Sequence, residues 1–399
     1  MAAEEKPKGW MGGDVSPLLL AAGIGAVGTW LWWNRRPLPT SNTMSGRVCV
    51  VTGANAGIGK ATATALAQKG AHVVLACRSP IKCADACKEI RRKVPGAAVE
   101  ALPLDLSSVE SIRGFVELFR KTRLPLHVLV NNAGIIPGEP GLVRGMEKSM
   151  VVNHLGPFLL THLLLPDLRK GTTTAAAAAA STSASAGDRH GGRGKSSWNN
   201  NRTDSASRIV NVGSRLEKRG SLWAAVGSGV GTAAAAVPLG TRWFEPPPGK
   251  NHDAFQLYGS SKLCNQLFTF ELDRRLKATQ KPTLSAGATA PGGREREVIA
   301  NIVTPGVVNT GLGDSMTSPW VAWVAAPLKA AFMRTVGKGA ETVVWAATSP
   351  EIEAIGGGKF FGDMKEVPCS DASRDEDLAR QLWKASEVAS GLDESERIL

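Results

Sequence analysis

The sequence predicts an α/β fold, in which a doubly wound, mostly parallel β-sheet forms a single domain behind a short N-terminal segment. From residue 46 onward, short apolar and β-branched runs alternate with stretches of helix length, and this alternation is typical of βαβ units. The apolar runs are nearly continuous, as expected for strands that are covered on both faces. A glycine-rich loop also joins the first predicted strand to the first predicted helix.

The predicted elements follow one another in a regular order. Strands are predicted in RVCVVTG, AHVVLACRS, VEALPLDLS and LHVLVNNAG, and the helices between them in KATATALAQKG, PIKCADACKEIRRKV and VESIRGFVELFRKT. Three stretches interrupt this order and are predicted to be inserted loops, at 171–206, 220–250 and 281–296. The first of them has low complexity and is predicted to be disordered. Since loops between elements tolerate insertions, the domain is expected to span 46–399.

The residues before the domain are predicted to include a membrane anchor. A short polar tail (1–15) precedes an uncharged stretch (16–33), and a linker (34–45) follows it. The stretch reaches the lower length limit of a membrane-spanning helix and ends in clustered tryptophans, which are typical of the membrane interface. A cleaved signal peptide is the alternative, but acidic residues precede the stretch and no small-residue cleavage site follows it.

The charges that flank the predicted anchor indicate its orientation. Arg35, Arg36 and Arg47 outnumber the two lysines on the other side. The large C-terminal domain is therefore expected to face the cytosol from the endoplasmic reticulum or another organelle membrane, with a single pass. A GxGxxG pattern at 23–28 lies inside the apolar stretch, without a strand before it, so helix packing in a membrane explains it better than nucleotide binding.

The charge and the cysteines argue against two kinds of site. The net charge is +12, but no basic stripe is interleaved with aromatic residues and no zinc-finger spacing occurs, so nucleic acid is not an expected partner. The cysteines are scattered and suggest no disulfide framework. Cys83 and Cys87 lie four residues apart on a predicted helix, but no second pair or nearby histidine completes a metal site. We expect reduced thiols in a reducing compartment and no bound metal.

The loop in VVTGANAGIGKATA (51–64) has the features of a dinucleotide-binding loop. It follows a strand and opens a helix, and Gly53, Gly57 and Gly59 give the spacing GxxxGxG. Glycines here permit a tight turn and let the backbone approach a pyrophosphate, which the helix N-terminus stabilises. After the second strand the chain has Arg78 and no acid, which favours NADP over NAD. The alternatives are a loop that merely needs small residues and an Arg78 that is an ordinary solvated charge.

LYGSSK (257–262) contains the only tyrosine of the chain, against 11 Trp and 10 Phe. Lys262 follows Tyr258 by four residues, and a cation one helical turn away favours the phenolate and lowers its pKa. Because general acids and bases work best when their pKa is near the operating pH, Tyr258 is predicted to be a proton donor. A lone tyrosine can also be an ordinary core or surface aromatic.

Eight motifs occur in an order that resembles one known family. They are TGANAGIGK, LDLSS (104–108), NNAG (131–134), VNHLGPFLLT (152–161), RIVNVGS (208–214), YGSSKLCNQLF (258–268), TPGVVNT (304–310) and ATSPEIE (347–353). Together they resemble the short-chain dehydrogenases/reductases, and within that family the membrane-anchored retinol dehydrogenase-like group, over 46–399 apart from the three insertions. The resemblance implies a Rossmann-like sheet and an enzyme of hydride transfer.

The resemblance also implies roles for individual residues. Tyr258 and Lys262 would be the catalytic pair, Ser214 would hydrogen-bond the substrate oxygen, and Asn153 would hold a water in a proton relay. The residues that would bind NADP(H) are Gly53, Gly57, Ile58, Gly59, Arg78, Asp105, Asn131, Ala133, Gly134, Tyr258, Lys262, Pro305, Gly306, Val308 and Thr310.

The function implied is that of an NADP-dependent oxidoreductase, which interconverts a lipophilic aldehyde or ketone and its alcohol, such as retinal and retinol. The apolar, tryptophan-bearing stretch 318–333 suits a lid over such a substrate, and an ordinary core-facing helix is the alternative. The family often forms homodimers. One alternative is a non-catalytic NADP(H)-sensing or scaffold protein of a membrane complex, which would need no proton donor. Another is an epimerase or dehydratase, whose loop usually reads TGxxGxxG and not GxxxGxG.

Overall fold

Among the described residues, which are 43–136, 141–185, 206–222, 241–245, 253–279, 298–308, 334–397 and 399, the computed structural model contains an eight-stranded sheet and a separate hairpin. In chain order the strands are β1 (Val48–Thr52), β2 (His72–Cys77), β3 (Val99–Pro103), β4 (Val128–Asn131), β5 (Leu142–Val143), β6 (Met146–Glu147), β7 (Ser207–Val212), β8 (Val298–Thr304), β9 (Phe360–Gly362) and β10 (Lys365–Glu366). The sheet has the order β10-β9-β8-β7-β4-β1-β2-β3, and β5 pairs with β6. Neighbouring strands of the sheet are parallel except β9 and β10.

The helices are connected to the strands as in a doubly wound fold. In chain order they are α1 (Gly57–Gln68), α2 (Pro80–Lys93), α3 (Val109–Lys121), α4 (Lys148–Met150), α5 (Gly156–Ser185), α6 (Ala254–Thr279), α7 (Val336–Thr348), α8 (Glu351–Ile355), α9 (Asp371–Arg374) and α10 (Glu376–Ser390). A π-helical turn (Val151–Leu155) joins α4 to α5, and 3-10 turns cover Arg215–Arg219, Thr241–Phe244 and Glu394–Glu396. The predicted alternation of strands and helices and the predicted fold class are confirmed.

Alternating strand residues contact helices on opposite faces of the sheet. All five residues of β1 are buried. Cys49 and Val51 belong to the apolar layer that includes α1, α2 and α7. Val48 and Val50 belong to the layer that includes α3, α5 and α6. Burial on both faces explains why the strands are continuously apolar in the sequence.

Side-chain caps define where several helices begin. Ser79 accepts a hydrogen bond from the backbone N–H of Lys82 at the start of α2, where Pro80 occupies the first helical position. Ser108 caps α3 and Thr335 caps α7 in the same way. Each such cap contributes about 1 kcal/mol to helix stability. These caps direct the chain from the end of a strand back across the sheet.

The order of the parallel strands reverses beside β1. The chain runs outward from β1 to β3 and then crosses back to β4 on the other side of β1. The loops after β1 and β4 therefore lie next to each other at the carboxyl edge of the sheet. This is the position where doubly wound folds bind ligands.

The structure describes parts of two of the predicted inserted loops, and it corrects the prediction of disorder for the first. Helix α5 continues to Ser185, so the stretch predicted to be disordered from 171 begins inside a helix. Trp243 and Phe244, in the loop predicted at 220–250, are buried in an apolar cluster with Leu222. Large aromatic side chains gain free energy by burial, so part of this insertion belongs to the core. The loop predicted at 281–296 and the apolar stretch 318–333 lie outside the described residues.

The cysteines also differ from the prediction. Cys77, at the end of β2, forms a disulfide with Cys83 in the first turn of α2. The tight turn between strand and helix brings their Cα atoms to 5.9 Å, within the range that a disulfide spans. The expectation of reduced thiols is therefore wrong for Cys83, although Cys87 is free and buried as expected. The cysteines no longer indicate a reducing compartment.

The predicted membrane anchor at 16–33 lies outside the described residues. Within the part of the chain that the structure describes, no helix has both the length and the apolar character needed to cross a membrane.

Candidate active site

A cavity of about 470 Å³ opens at the carboxyl edge of the sheet. The loops that follow β1, β2, β3, β4, β7 and β8 all contribute to its lining. Its lining residues are Thr52, Gly53, Asn55, Ala56, Gly57, Ile58, Gly59, Ala76, Cys77, Arg78, Leu104, Asp105, Leu106, Asn132, Ala133, Gly134, Ile135, Val152, Val212, Gly213, Ser214, Tyr258, Lys262, Pro305, Gly306 and Val308.

The glycine loop shapes one end of this cavity. Gly53 and Gly57 have positive φ angles of 64° and 53°, which glycine adopts without strain. A Cβ at Gly59 would lie only 2.4 Å from the carbonyl oxygen of Gly53, so α1 begins in direct contact with the end of β1. Ala56 precedes α1 and offers no side-chain cap, which leaves the first N–H groups of the helix for a ligand. This arrangement fits the pyrophosphate of a dinucleotide.

The ends of β2 and β3 place Arg78 and Asp105 on the cavity. Arg78 is exposed and lies directly after β2. Asp105 Oδ1 accepts hydrogen bonds from the backbone N–H and the hydroxyl of Ser107, at 2.9 and 2.6 Å. The Asp105 backbone N–H in turn donates to Ser111 Oγ at 2.9 Å. Asp105 is thus held in place by its own loop, whereas the Arg78 side chain is exposed.

Tyr258 and Lys262 lie one turn apart on α6, and both are buried. Lys262 Nζ donates a hydrogen bond to the carbonyl oxygen of Val212 at 2.8 Å and lies 5.4 Å from the centre of the Tyr258 ring. Burial lowers the pKa of Lys262 to about 8. The ammonium group is therefore anchored to the end of β7, beside the phenol.

The pKa of Tyr258 differs from the sequence-based expectation. Burial raises this pKa to about 12, and a hydrogen bond with Ser214 acts in the opposite direction. We expected Lys262 to lower the pKa, but in the structure desolvation of the phenolate dominates and Ser214 supplies the opposing effect. The pKa of Lys262 is itself lowered because its charge is costly inside the protein. The Tyr258 hydroxyl is consequently protonated near neutral pH.

Ser214 lies at the end of β7 and opens the 3-10 turn Arg215–Arg219. Its Oγ accepts a hydrogen bond from the backbone N–H of Leu216 at 3.2 Å. Ser214 lines the cavity together with Tyr258 and Lys262.

Asn153 has a different place from the other predicted catalytic residues. It lies in the π-helical turn, and its Oδ1 accepts from the backbone N–H of Ile135 at 2.8 Å. Its Nδ2 donates to the Ile135 carbonyl and to Ser261 Oγ, both at 2.9 Å. Asn153 is buried and is not among the residues that line the cavity. Its side chain thus connects the loop after β4 to helix α6 beside Tyr258.

Most of the predicted cofactor-binding residues meet at the cavity. Gly53, Gly57, Ile58, Gly59, Arg78, Asp105, Ala133, Gly134, Tyr258, Lys262, Pro305, Gly306 and Val308 line it. Asn131 does not: it is buried in β4, and its amide donates to Thr161 Oγ1 and Asn211 Oδ1 inside the fold. Thr310 lies outside the described residues. Within the described part of the chain, no cluster of three or more His, Cys, Asp or Glu residues could hold a metal ion.

Sequence reasoning missed the residue that connects the two central loops. Thr52, at the end of β1, accepts hydrogen bonds at its Oγ1 from the backbone N–H groups of Asn132 and Ala133, both at 3.0 Å. Asn132 Nδ2 also donates to the Thr52 carbonyl at 2.8 Å. A polar residue at the end of a buried strand, directly before Gly53, was the signal for this role. The contact holds the loops after β1 and β4 together.

Comparison with known proteins agrees with this geometry. A family model described as short chain dehydrogenase matches residues 47–192. The chain is 32% identical to retinol dehydrogenase 14 of Homo sapiens over 365 residues, which cover 88% of each protein. It is 34% identical to polyprenol dehydrogenase of Mus musculus over 348 residues, or 86% of this chain and 84% of that protein. A crystal structure of an uncharacterised protein from Mycobacterium paratuberculosis shares the fold, with a TM-score of 0.56, 24% identity and coverage of 88% and 95%.

Proposed function

The chain belongs to the short-chain dehydrogenase family and is an oxidoreductase, and on this premise we propose that it interconverts a lipophilic aldehyde or ketone and its alcohol with NADP(H). The observation that carries the proposal is the convergence of Ser214, Tyr258 and Lys262 on the cavity that the glycine loop also lines. A protein that only bound the dinucleotide would need no buried phenol at this position.

The protein side chains supply the proton and hold the reacting oxygen. Ser214 Oγ donates a hydrogen bond to the carbonyl oxygen, and the Tyr258 hydroxyl delivers its proton to the same atom as negative charge develops there. The Lys262 ammonium, held by Val212, favours the phenolate that remains. Bound NADP(H) would supply or accept the hydride. A protonated Tyr258 near neutral pH suits the direction of carbonyl reduction.

NADP specificity is proposed on the basis of Arg78. Its guanidinium lies on the cavity directly after β2, where the adenosine ribose of a dinucleotide is expected. No acidic residue occupies that turn, whose sequence is Cys77-Arg78-Ser79. A cation at this position favours a 2′-phosphate over a free hydroxyl.

A lipophilic substrate and a membrane attachment are proposed together. Relatives of this chain are named for retinol and for polyprenol, which are both lipophilic alcohols. The uncharged stretch 16–33 has the length to hold the chain in a bilayer, from which such a substrate could enter the site. Extraction of membranes at alkaline pH tests the attachment: a chain that dissolves fully without detergent would exclude a spanning anchor.

The experiment that tests the activity is NADPH oxidation by the purified full-length chain. Retinal and panels of aliphatic, aromatic and steroid carbonyls serve as substrates, and Tyr258→Phe is the matched control. We expect turnover with at least one lipophilic carbonyl and a loss of about a hundredfold or more in the variant. NADPH binding without turnover on any substrate would favour the sensor or scaffold function. Failure to bind either dinucleotide would refute the cofactor assignment.

A further inference from the structure

The 3-10 turn Arg215–Arg219 lies between Ser214 and the part of helix α6 that carries Tyr258. It begins directly after Ser214 and ends at Gly220, whose backbone lies against helix α6 next to Tyr258. The turn therefore links the residue proposed to hold the oxygen to the helix that carries the proposed proton donor.

The contact between Gly220 and α6 has no room for a side chain. A Cβ at Gly220 would lie 2.6 Å from the carbonyl oxygen of Gly259 and 2.8 Å from the backbone N of Ser260. These are backbone atoms of a helix, so no side-chain rotation could relieve the overlap. Gly220 has φ −71° and ψ 147°, which any residue adopts, so space alone requires glycine here.

On helix α6, Gly259 also has no room for a side chain at this contact. A Cβ at Gly259 would lie 2.6 Å from the carbonyl oxygen of Leu216. The backbone N–H of Ser221 donates to Ser260 Oγ at 3.0 Å, and Ser260 Oγ donates to the Gln256 carbonyl at 2.9 Å. Close packing and these hydrogen bonds together fix the distance between the turn Arg215–Arg219 and helix α6.

A second anchor holds the turn from behind. Glu217 is buried, and its carboxylate accepts hydrogen bonds from the backbone N–H and the hydroxyl of Ser370. The turn thus cannot move away from α6 without breaking bonds to the C-terminal part of the domain.

We propose that Gly220 is a positioning residue, which sets the separation of the Ser214 and Tyr258 hydroxyls through its backbone contact with Gly259. The proposal rests on the proposed function in that it assigns these two hydroxyls to one reaction. A methyl group at position 220 displaces the turn from the helix, and with it Ser214 from Tyr258. The rate of proton delivery then falls, while the glycine loop and Arg78, on other strands, keep their affinity for the dinucleotide.

The test compares Gly220→Ala with Gly337→Ala in the full-length chain. Gly337 lies in α7, where an added Cβ would meet no atom of the described residues within 4 Å. We expect kcat to fall about tenfold to a hundredfold in Gly220→Ala, with the Kd for NADPH within about twofold of the parent value. Gly337→Ala should change neither quantity. An unchanged kcat in Gly220→Ala would overturn the proposal.

NMR spectroscopy of Tyr258 tests the role of Gly220 even if no substrate is turned over. Because Tyr258 is the only tyrosine, a chain labelled with carbon-13 at the tyrosine ζ carbon has one resonance, which reports the surroundings of the Tyr258 hydroxyl, including Ser214. Gly220→Ala is expected to shift this resonance in the same direction as Ser214→Ala, and Gly337→Ala to leave it in place. An unmoved resonance overturns the proposal, even if the parent chain turns over no substrate. If Gly220→Ala does not fold, Ser260→Ala removes the bond to Ser221 without adding atoms and should give a smaller shift in that direction.

Discussion

At the scale of single residues, burial determines the properties of the proposed catalytic pair. Tyr258 is 7% exposed and Lys262 is 3% exposed, and in both cases desolvation disfavours the charged form. The phenol is therefore kept protonated, while the ammonium group keeps its charge at neutral pH but loses it under mildly alkaline conditions. Burial thus raises the pKa of Tyr258 and lowers the pKa of Lys262.

The lowered pKa of Lys262 predicts the alkaline side of the pH profile. The pKa is about 8, so the ammonium group is present below this pH and is lost as the pH rises through it. We expect kcat/KM for carbonyl reduction to fall above about pH 8, since this parameter reports the free enzyme. Ser214→Ala should lower the rate and keep the same descending limb. A profile that stays flat to the ordinary lysine pKa would contradict the role of Lys262.

Arg78 predicts the choice between the two dinucleotides. Arg78→Ala should raise the KM for NADPH about tenfold or more, because a charge-assisted contact with the 2′-phosphate is lost. The KM for NADH should change little. Arg91, on the same helix-and-strand unit but bonded to the Val99 carbonyl, offers a matched control in Arg91→Ala. An equal rise in KM for NADPH and for NADH would show that Arg78 does not bind the 2′-phosphate.

At the scale of elements, the start of α1 depends on a contact that only glycine permits. A Cβ at Gly59 would meet the Gly53 carbonyl oxygen at 2.4 Å and Asn132 Nδ2 at 2.5 Å. The first is a backbone atom of the loop that has to approach a pyrophosphate. Any side chain at Gly59 would therefore move the helix away from the strand.

Gly59→Ala is expected to weaken dinucleotide binding at least tenfold and to destabilise the fold by about 1–3 kcal/mol, as overpacking does. Gly114→Ala is the matched control, because a Cβ at Gly114 in α3 would lie more than 4 Å from every atom in the described part of the chain. That variant should be stabilised by about 0.5–1 kcal/mol through its higher helix propensity. Dinucleotide fluorescence titration and urea unfolding measure the two effects. Normal binding by Gly59→Ala would refute the close contact.

At the scale of the whole molecule, buried histidines connect stability to pH. His154 and His162 lie in an aromatic cluster between α5, α6 and α10, and His127 accepts a hydrogen bond from the Val48 backbone N–H. Burial lowers the pKa of His154 to about 3 and the pKa of His127 and of His162 to about 4. The folded chain keeps these rings neutral over a range in which the unfolded chain protonates them.

The direction in which pH changes stability follows from the difference between the folded-state and unfolded-state pKa values of these histidines. The folded-state pKa values lie below the ordinary value of about 6.5, so stability is complete above this pH and is lost as the pH falls towards the folded-state values. We expect the thermal midpoint to drop between about pH 7 and about pH 5, and His154→Gln to reduce this dependence. His72→Gln, at a partly exposed ring that pairs with Glu100, should retain it. A midpoint that is constant over this range would contradict the prediction.

The fold class and the glycine loop could be predicted from the sequence, and Tyr258 could be proposed from it as the proton donor. Each is encoded locally: strand and helix periodicity, the spacing of Gly53, Gly57 and Gly59, and one helical turn between Tyr258 and Lys262. Physical rules that act over a few residues were sufficient for these predictions. Most of the predicted cofactor-binding residues also meet at one cavity, because the carboxyl ends of parallel strands lie at the same edge of the sheet.

How these groups affect one another depends on the packing of distant segments, which the sequence pattern does not specify. Ser214 and Tyr258 are 44 residues apart, and both line one cavity because of how the 3-10 turn packs on α6. Burial, which raises the pKa of Tyr258 more than any neighbour lowers it, is a property of the packed domain and has no local signature. The same holds for Asn131, whose hydrogen-bond partners come from another strand and a helix. Distances and dielectric environment arise when distant segments pack together, so local sequence patterns do not determine them.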